Sequence, residues 1–260
     1  MEKITGKNND LVKNIKKLLT SSKERKAQGL FVLEGARLVF DVLNSFYEVK
    51  YFVATQQIMD KYCEQCGKMI AKAEKSFLVS SDIADKIGET QNSQGVFAVC
   101  KIKADDKAAN AKALNAQIAL DNIQDPSNLG AIVRTAEALG VDRVIVGGGC
   151  DIYNPKALRA SMGSMLRVNL LRSENLESFL KEQSNQGVRI YGTSPDKNAV
   201  PITDIDFSQK SMCIIGNEAN GISQQIKECC DKLVTIKMLG NAESLNASVA
   251  AAITMWEMLR

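Results

Sequence analysis

An α/β protein in two parts is the fold class this sequence predicts, and three observations predict it. Short apolar strands alternate with helical stretches along most of the chain. Lys101 to Asn115 breaks that alternation with charged, alanine-rich sequence nearly free of large apolar residues, which reads as a linker. Several apolar strands run into glycine, as at Gly35, Gly147, Gly192 and Gly216. The expected division is a basic helical arm over 1–26, a small α/β domain over 27–103, a linker over 104–116 and a parallel-sheet domain over 117–260.

The arm carries eight basic residues, among them Lys13, Lys16, Lys17 and Arg25, against Glu2, Asp10 and Glu24. The chain as a whole is only +3, so the basic charge is concentrated here. Such a segment suits RNA-backbone contact, or equally a solvated helix face. Asn9 to Thr20 reads as a helix with Leu11, Ile15, Leu18 and Leu19 on one side. Strands follow at 31–35, 51–54, 77–79 and 96–100, with helices at 36–43 and 58–75. Glu34 and Arg37 flank the first glycine turn, as surface residues or as RNA contacts.

Beyond the linker, strands are expected at 118–120, 144–146, 168–171, 188–191, 212–215 and 233–236. Helices are expected at 129–139, 156–166, 176–186 and 222–230, and a last one after Asn246. Asp125-Pro126-Ser127-Asn128 reads as a turn rich in caps, and Gly140 as a helix stop. Leu245, Val249, Ile253, Trp256 and Leu259 share a helix face, which predicts a core helix. Ser244 and Asn246 are both suitable N-caps for it. Ligands of parallel sheets bind beyond the carboxyl ends of the strands. That groups Gly192-Thr193-Ser194, Gly216-Asn217-Glu218 and the stretch from Ile236 to Asn246 as one candidate site.

Composition narrows the chemistry. The 260 residues are 45% hydrophobic and 24% charged, an ordinary globular balance. No run of about 18 apolar residues predicts a membrane span, and the lysine-rich start lacks the apolar core of a secretory signal. A cytoplasmic protein that meets no membrane is the expectation. Its seven cysteines then read as reduced thiols. Cys63 and Cys66 form a lone C-x-x-C without a second pair, so no metal is expected. The chain has no histidine, which removes Ser-His-Asp and Cys-His sites and any histidine base. G-x-x-x-x-G-K-[ST] is absent, and Gly147-Gly148-Gly149 is not G-x-G-x-x-G. A sheet without a phosphate cradle suits a nucleoside that lacks phosphates.

Three segments together resemble one family. Asn128-Leu129-Gly130-Ala131-Ile132-Val133-Arg134-Thr135-Ala136 resembles the first motif of the SpoU (TrmH) RNA ribose methyltransferases. Gly216 to Ile222 is similar to the second motif and Ser244 to Ala250 to the third, in the same order and spacing. Ser161-Met162-Gly163-Ser164 resembles the family's small-residue helix. Lys237 departs from the proline that many members place before the methionine at 238. The residues before the linker resemble the small substrate-binding domain found on many members.

The resemblance implies a deep trefoil knot in the second domain, an exception to the unknotted rule. It implies S-adenosylmethionine as cofactor, a homodimer through the knotted domain, and RNA, preferably ribosomal, as partner. It assigns Thr193, Gly216, Asn217, Ile236, Met238, Ser244 and Leu245 to the cofactor. It gives Arg134 the catalytic role, with Asn128 and Glu218 orienting it and Glu218 as its ion partner. A guanidinium is a poor base at neutral pH, so Arg134 either activates the hydroxyl, binds the adjacent phosphate or stabilises oxyanion character. Asn246 caps the helix and also touches ribose or cofactor. RNA contacts fall to Lys13, Lys16, Lys17, Arg25 and Arg37. The alternatives are a transfer-RNA methyltransferase, a non-catalytic RNA-binding or assembly protein, and a nucleotide-dependent oxidoreductase.

Overall fold

The computed structural model describes residues 1–89, 94–102, 114–196 and 198–260. Most of the expected linker lies outside them. The first part of the chain runs β1 (Glu2–Ile4), α1 (Asp10–Thr20), α2 (Ser22–Gln28), β2 (Leu30–Glu34), α3 (Ala36–Asp41), β3 (Val49–Thr55), α4 (Gln56–Lys61), α5 (Cys63–Lys72), β4 (Ala73–Val79), α6 (Ser81–Ile87) and β5 (Val96–Lys101). It continues with β6 (Ala116–Asp121), α7 (Pro126–Leu139), β7 (Arg143–Gly147), α8 (Pro155–Ala160), β8 (Leu170–Ser173), α9 (Leu176–Asn185), β9 (Arg189–Thr193), β10 (Val200–Pro201), β11 (Ser211–Ile215), α10 (Gln224–Lys227), β12 (Lys232–Thr235) and α11 (Ala247–Leu259).

Two compact units result, one from Met1–Ala104 with Asp151–Leu166, the other from Asp105–Cys150 with Arg167–Arg260. The first unit holds a five-stranded mixed sheet in the order β1-β4-β3-β5-β2. Helix α1 is no loose arm. Asn9 caps it by accepting from the Leu11 amide at 2.8 Å. Its apolar stripe of Val12, Ile15, Leu18 and Leu19 is buried against the sheet with Ile83 and Ile87 of α6, leaving Lys13, Lys16 and Lys17 exposed. Serine and lysine composition hid α2, and the three-residue β1 is too short to show a period.

Arg25 corrects one expectation. It is 3% exposed, so it is no RNA contact. Its Nη1 donates to the carbonyls of Leu18 and Leu19 at 2.7 and 2.9 Å, and its Nε to Asp151 at 2.7 Å. A lysine-rich context gave it the look of a surface cation, whereas the guanidinium ties the end of α1 to the segment 151–166. That segment, expected in the second domain, packs in the first unit. Tyr153 lies 4.5 Å from Phe31, ring to ring, and Arg159 sits 3.7 Å from the buried Glu34. The expected helix over 156–166 also stops early. Met162 (φ 52°) and Gly163 (φ 93°) turn the chain after α8, and Ser164–Leu166 is a single 3-10 turn.

The second unit is a seven-stranded sheet, every pairing parallel, in the order β10-β12-β9-β11-β6-β7-β8. Strands β6 and β11 run down its middle and are wholly buried, which explains their continuous apolar sequence. From β6 the chain builds outward through β7 and β8 on one side, then crosses to β9, β11 and β12 on the other. This reversal is the topological switch at which parallel sheets take ligands. Helix α7 begins at Pro126, capped by Asp125, so Asn128 stands in its first turn rather than in a loop. Helix α11 overturns another expectation. Val249 (46%), Trp256 (60%) and Leu259 (41%) are exposed, while Ala247, Ala251, Thr254, Met255 and Met258 are buried. The helix is apolar nearly all round, so periodicity did not choose its inner face. Its alanines let it approach α7, Met255 and Met258 fill the rest of the inner face, and Val249, Trp256 and Leu259 point outward. Among the described residues, no helix is long and apolar enough to cross a membrane.

Candidate active site

The three loops beyond β9, β11 and β12 meet in the second unit around a cavity of about 550 Å³. All of Thr193, Gly216, Asn217, Ile236, Met238, Ser244 and Leu245 line it. The loop after β11 is folded by Asn217. Its backbone pairs with Gly221 in both directions, its Oδ1 accepts from the Ala219 and Asn220 amides at 3.0 and 3.1 Å, and its Nδ2 donates to the Asn122 carbonyl at 2.9 Å. Asn122 sits at φ 59°, a conformation that costs most residues but asparagine least. Gly216 is obligatory, because a Cβ there would lie 2.2 Å from the Gly221 carbonyl carbon. Thr193 hydroxyl donates to the Ile214 carbonyl at 2.8 Å, which fixes the end of β9 beside β11.

One chain of hydrogen bonds strings the three motifs together. Asn246 Nδ2 donates to Asn128 Oδ1 at 3.1 Å, and Asn128 Nδ2 donates to Glu218 Oε1 at 2.9 Å. Glu218 also accepts from the Gln124 and Asp125 amides, both at 3.1 Å. Asn246 Oδ1 meanwhile accepts from the Ser248 amide at 2.9 Å, which makes it the N-cap of α11. Ser244 does not serve as that cap. Desolvation pushes the Glu218 carboxyl up, but the bonds from Asn128, Gln124 and Asp125 together outweigh it and hold it below the ordinary range.

Arg134 stands apart from this relay. It lies six residues beyond Asn128 on α7, about 240° round the helix, exposed. The expected Glu218–Arg134 ion pair is therefore not formed, and Glu218 orients Asn128 instead. Among the described residues Arg134 has no ion-pair partner, and it does not line the cavity. In the first unit, Arg37 is exposed and borders a cleft of about 320 Å³ with Glu34, Leu38, Gln94, Arg159 and Met162. Sequence reasoning missed Asn122, whose positive φ no pattern announces. It also missed Asp196 and Lys227, which line the cavity, whereas Glu243, which lines it too, fell within the grouped stretch from Ile236 to Asn246 without a role of its own. Asp196 was within reach, two residues past the Thr193-Ser194 loop end.

The cavity suits S-adenosylmethionine. Ile215, Ile222, Val234, Ile236, Met238 and Leu245 provide apolar walls for an adenine. Asp196, Glu218 and Glu243 provide negative charge for a sulfonium. Among the described residues, no group of three or more Cys, Asp or Glu is placed to hold a metal ion.

Comparison with known proteins agrees with this geometry. The SpoU rRNA Methylase family matches residues 115–256, and the MRM3-like substrate binding domain matches residues 9–98. The chain is 34% identical over 259 residues to the 23S rRNA (guanosine(2553)-2'-O)-methyltransferase RlmP of Bacillus subtilis, covering 99% of both chains. Among solved structures it is similar to the AdoMet-bound rRNA methyltransferase of Sinorhizobium meliloti (28% identity, TM-score 0.87, 99% of this chain and 97% of that one). It is also similar to the SpoU methyltransferase AviRb of Streptomyces viridochromogenes in complex with AdoMet (26% identity, TM-score 0.85, 97% of each chain). Motifs, sheet, cavity and relatives agree, and the chain belongs to the SpoU rRNA methylase family.

Proposed function

We propose that this protein is a cytoplasmic enzyme that transfers a methyl group to a ribose 2'-hydroxyl of large-subunit ribosomal RNA. The observation behind it is the Asn246–Asn128–Glu218 relay, which locks the three motifs around a cavity sized and charged for S-adenosylmethionine. Full-length similarity to a 23S rRNA 2'-O-methyltransferase supports ribosomal over transfer RNA, as does the match of residues 9–98 to a substrate-binding domain.

S-adenosylmethionine supplies an electrophilic methyl on a sulfonium. The protein supplies alignment and the handling of the hydroxyl proton. Asn128 and Asn246 hold the α7 and α11 N-termini beside the cavity. Arg134 is exposed, so its guanidinium is free to meet RNA, where it binds phosphate or steadies charge on the attacking oxygen. Lys13, Lys16, Lys17 and Arg37 meet the RNA backbone. In this reading the second unit is knotted, and two copies pair through the outward face of α11, where Val249, Trp256 and Leu259 leave apolar surface uncovered.

The test incubates purified protein and S-adenosylmethionine with 23S rRNA, 16S rRNA and total transfer RNA, then maps 2'-O-methyl positions. A single new 2'-O-methyl in 23S rRNA is expected, and none with Arg134→Ala. Methylation confined to transfer RNA would replace the ribosomal assignment. No methylation of any RNA, with cofactor bound, would favour the assembly protein.

A further inference from the structure

The cofactor cavity holds one charge that the site described so far does not use. Lys227, the last residue of α10, lines it. The residue is half-buried, while Gln224, Gln225 and Glu228 around it are exposed. Lysine ordinarily extends its ammonium into water or onto a carboxylate. Here no ion pair or side-chain hydrogen bond engages it among the described residues.

The lining is also unbalanced. Asp196, Glu218 and Glu243 contribute three carboxylates, and Lys227 is the only cation among the described residues lining the cavity. S-adenosylmethionine carries charges of both signs: two cations, the sulfonium and the α-ammonium, and one anion, the α-carboxylate. A ligand that offered only cations would leave the lysine unmatched. Glu218 is already committed to Asn128 and two amides, and Asp196 Oδ1 accepts from the Asn198 amide at 2.8 Å. Neither is spent on Lys227.

We propose that Lys227 binds the α-carboxylate of the cofactor's methionyl tail, so that α10 reads the amino-acid end of S-adenosylmethionine while the loops hold its adenosine. The proposal rests on the assignment of this cavity to S-adenosylmethionine. The lysine is a binding residue and takes no part in methyl transfer. It gives the enzyme a preference for ligands with an intact amino-acid tail over adenosine derivatives truncated at that end.

Calorimetry with two ligands tests it. S-adenosylmethionine and its decarboxylated form share adenosine, sulfonium and ammonium, and differ in the carboxylate alone. Lys227→Met should weaken S-adenosylmethionine roughly ten- to hundredfold, the range for a hydrogen bond to a charged group. It should leave the decarboxylated ligand within about twofold of wild type. Lys227→Arg should keep most of the affinity, because its guanidinium also binds a carboxylate. An equal loss for both ligands would mean that Lys227 shapes the cavity only, and no loss for either would mean that the carboxylate lies elsewhere. Both results overturn the proposal. Wild-type protein that binds the decarboxylated form as tightly as S-adenosylmethionine also overturns it, while wild-type protein that binds neither would refute the cofactor assignment itself.

Discussion

At the scale of single residues, Asn128 is the hinge between chemistry and fold. It accepts from Asn246 and donates to Glu218, so one amide joins motifs separated by 90 and 118 residues in sequence. Asn128→Ala cuts both bonds while Glu218 keeps its two backbone amides. The expected result is a methylation rate lower by roughly one to two orders of magnitude, with S-adenosylmethionine affinity changed only a few-fold. Single-turnover assays and calorimetry separate the two, and an unchanged rate would make the relay purely architectural. The same variant moves acid stability. Glu218 is held below its ordinary range in the folded protein, so its contribution is present above the unfolded value and lost as pH falls through the folded one. Removing the Asn128 bond raises the folded value toward the unfolded one, so the variant is less stable than wild type near neutral pH and loses less further stability on acidification, which acid titration followed by circular dichroism measures. The identities of Asn128, Glu218 and Asn246 were legible in the sequence, because motif and cap chemistry point to the same positions. Their partners were not. An Arg134–Glu218 pair is the natural charge match in a linear string, and only the helical angle between Asn128 and Arg134 separates them.

At the scale of elements, α11 shows where periodicity fails. A stripe of Leu245, Val249, Ile253, Trp256 and Leu259 satisfies the helical template, yet the opposite face is buried. With apolar residues on every side, the decision passes to shape. Ala247 and Ala251 allow the helix close to α7, where a tryptophan would not fit. The exposed part of that stripe, Val249, Trp256 and Leu259, is then surface that a second copy can cover. Trp256→Glu places a charge at its centre without touching the buried face. The variant should shift the protein from dimer to monomer in sedimentation equilibrium while keeping its melting temperature within a few degrees at matched low concentration. A variant that stays dimeric would move the interface off α11, and a wild-type monomer would remove the dimer from the reading. Other elements were legible for the converse reason. The central strands β6 and β11 are buried on both faces and read as unbroken apolar runs, and α7 announced its C-terminus through Gly140 at φ 79°. Short elements such as β1 and β10 offer too few residues for any pattern.

At the scale of the whole molecule, charge and structure divide the labour between two units. The first concentrates lysines on the outer face of α1 while burying Arg25 beneath them, so basic composition there reflects both an exposed surface and a structural anchor. Arg25 shows that a count of positive residues overstates the RNA-facing set. Removing one partner of such a buried pair would cost about 3–5 kcal/mol, because the other charge is left unpaired, whereas exposed lysines cost little to replace. That contrast makes the electrostatic claim testable without damage to the fold. Lys13, Lys16 and Lys17 stand on one helix whose apolar side is fully engaged, so their conversion to glutamine leaves the core intact. If each meets a phosphate, the logarithmic dependence of RNA affinity on salt should flatten by about 0.7–0.9 per contact, or roughly two to three in slope for all three. Affinity at low salt should fall, and affinity near 1 M salt should barely change, because the released counterions no longer favour either protein. S-adenosylmethionine affinity should not move, since the cavity lies in the other unit. A triple variant with an unaltered slope would assign RNA contact away from α1, to Arg37 and the cleft beside it.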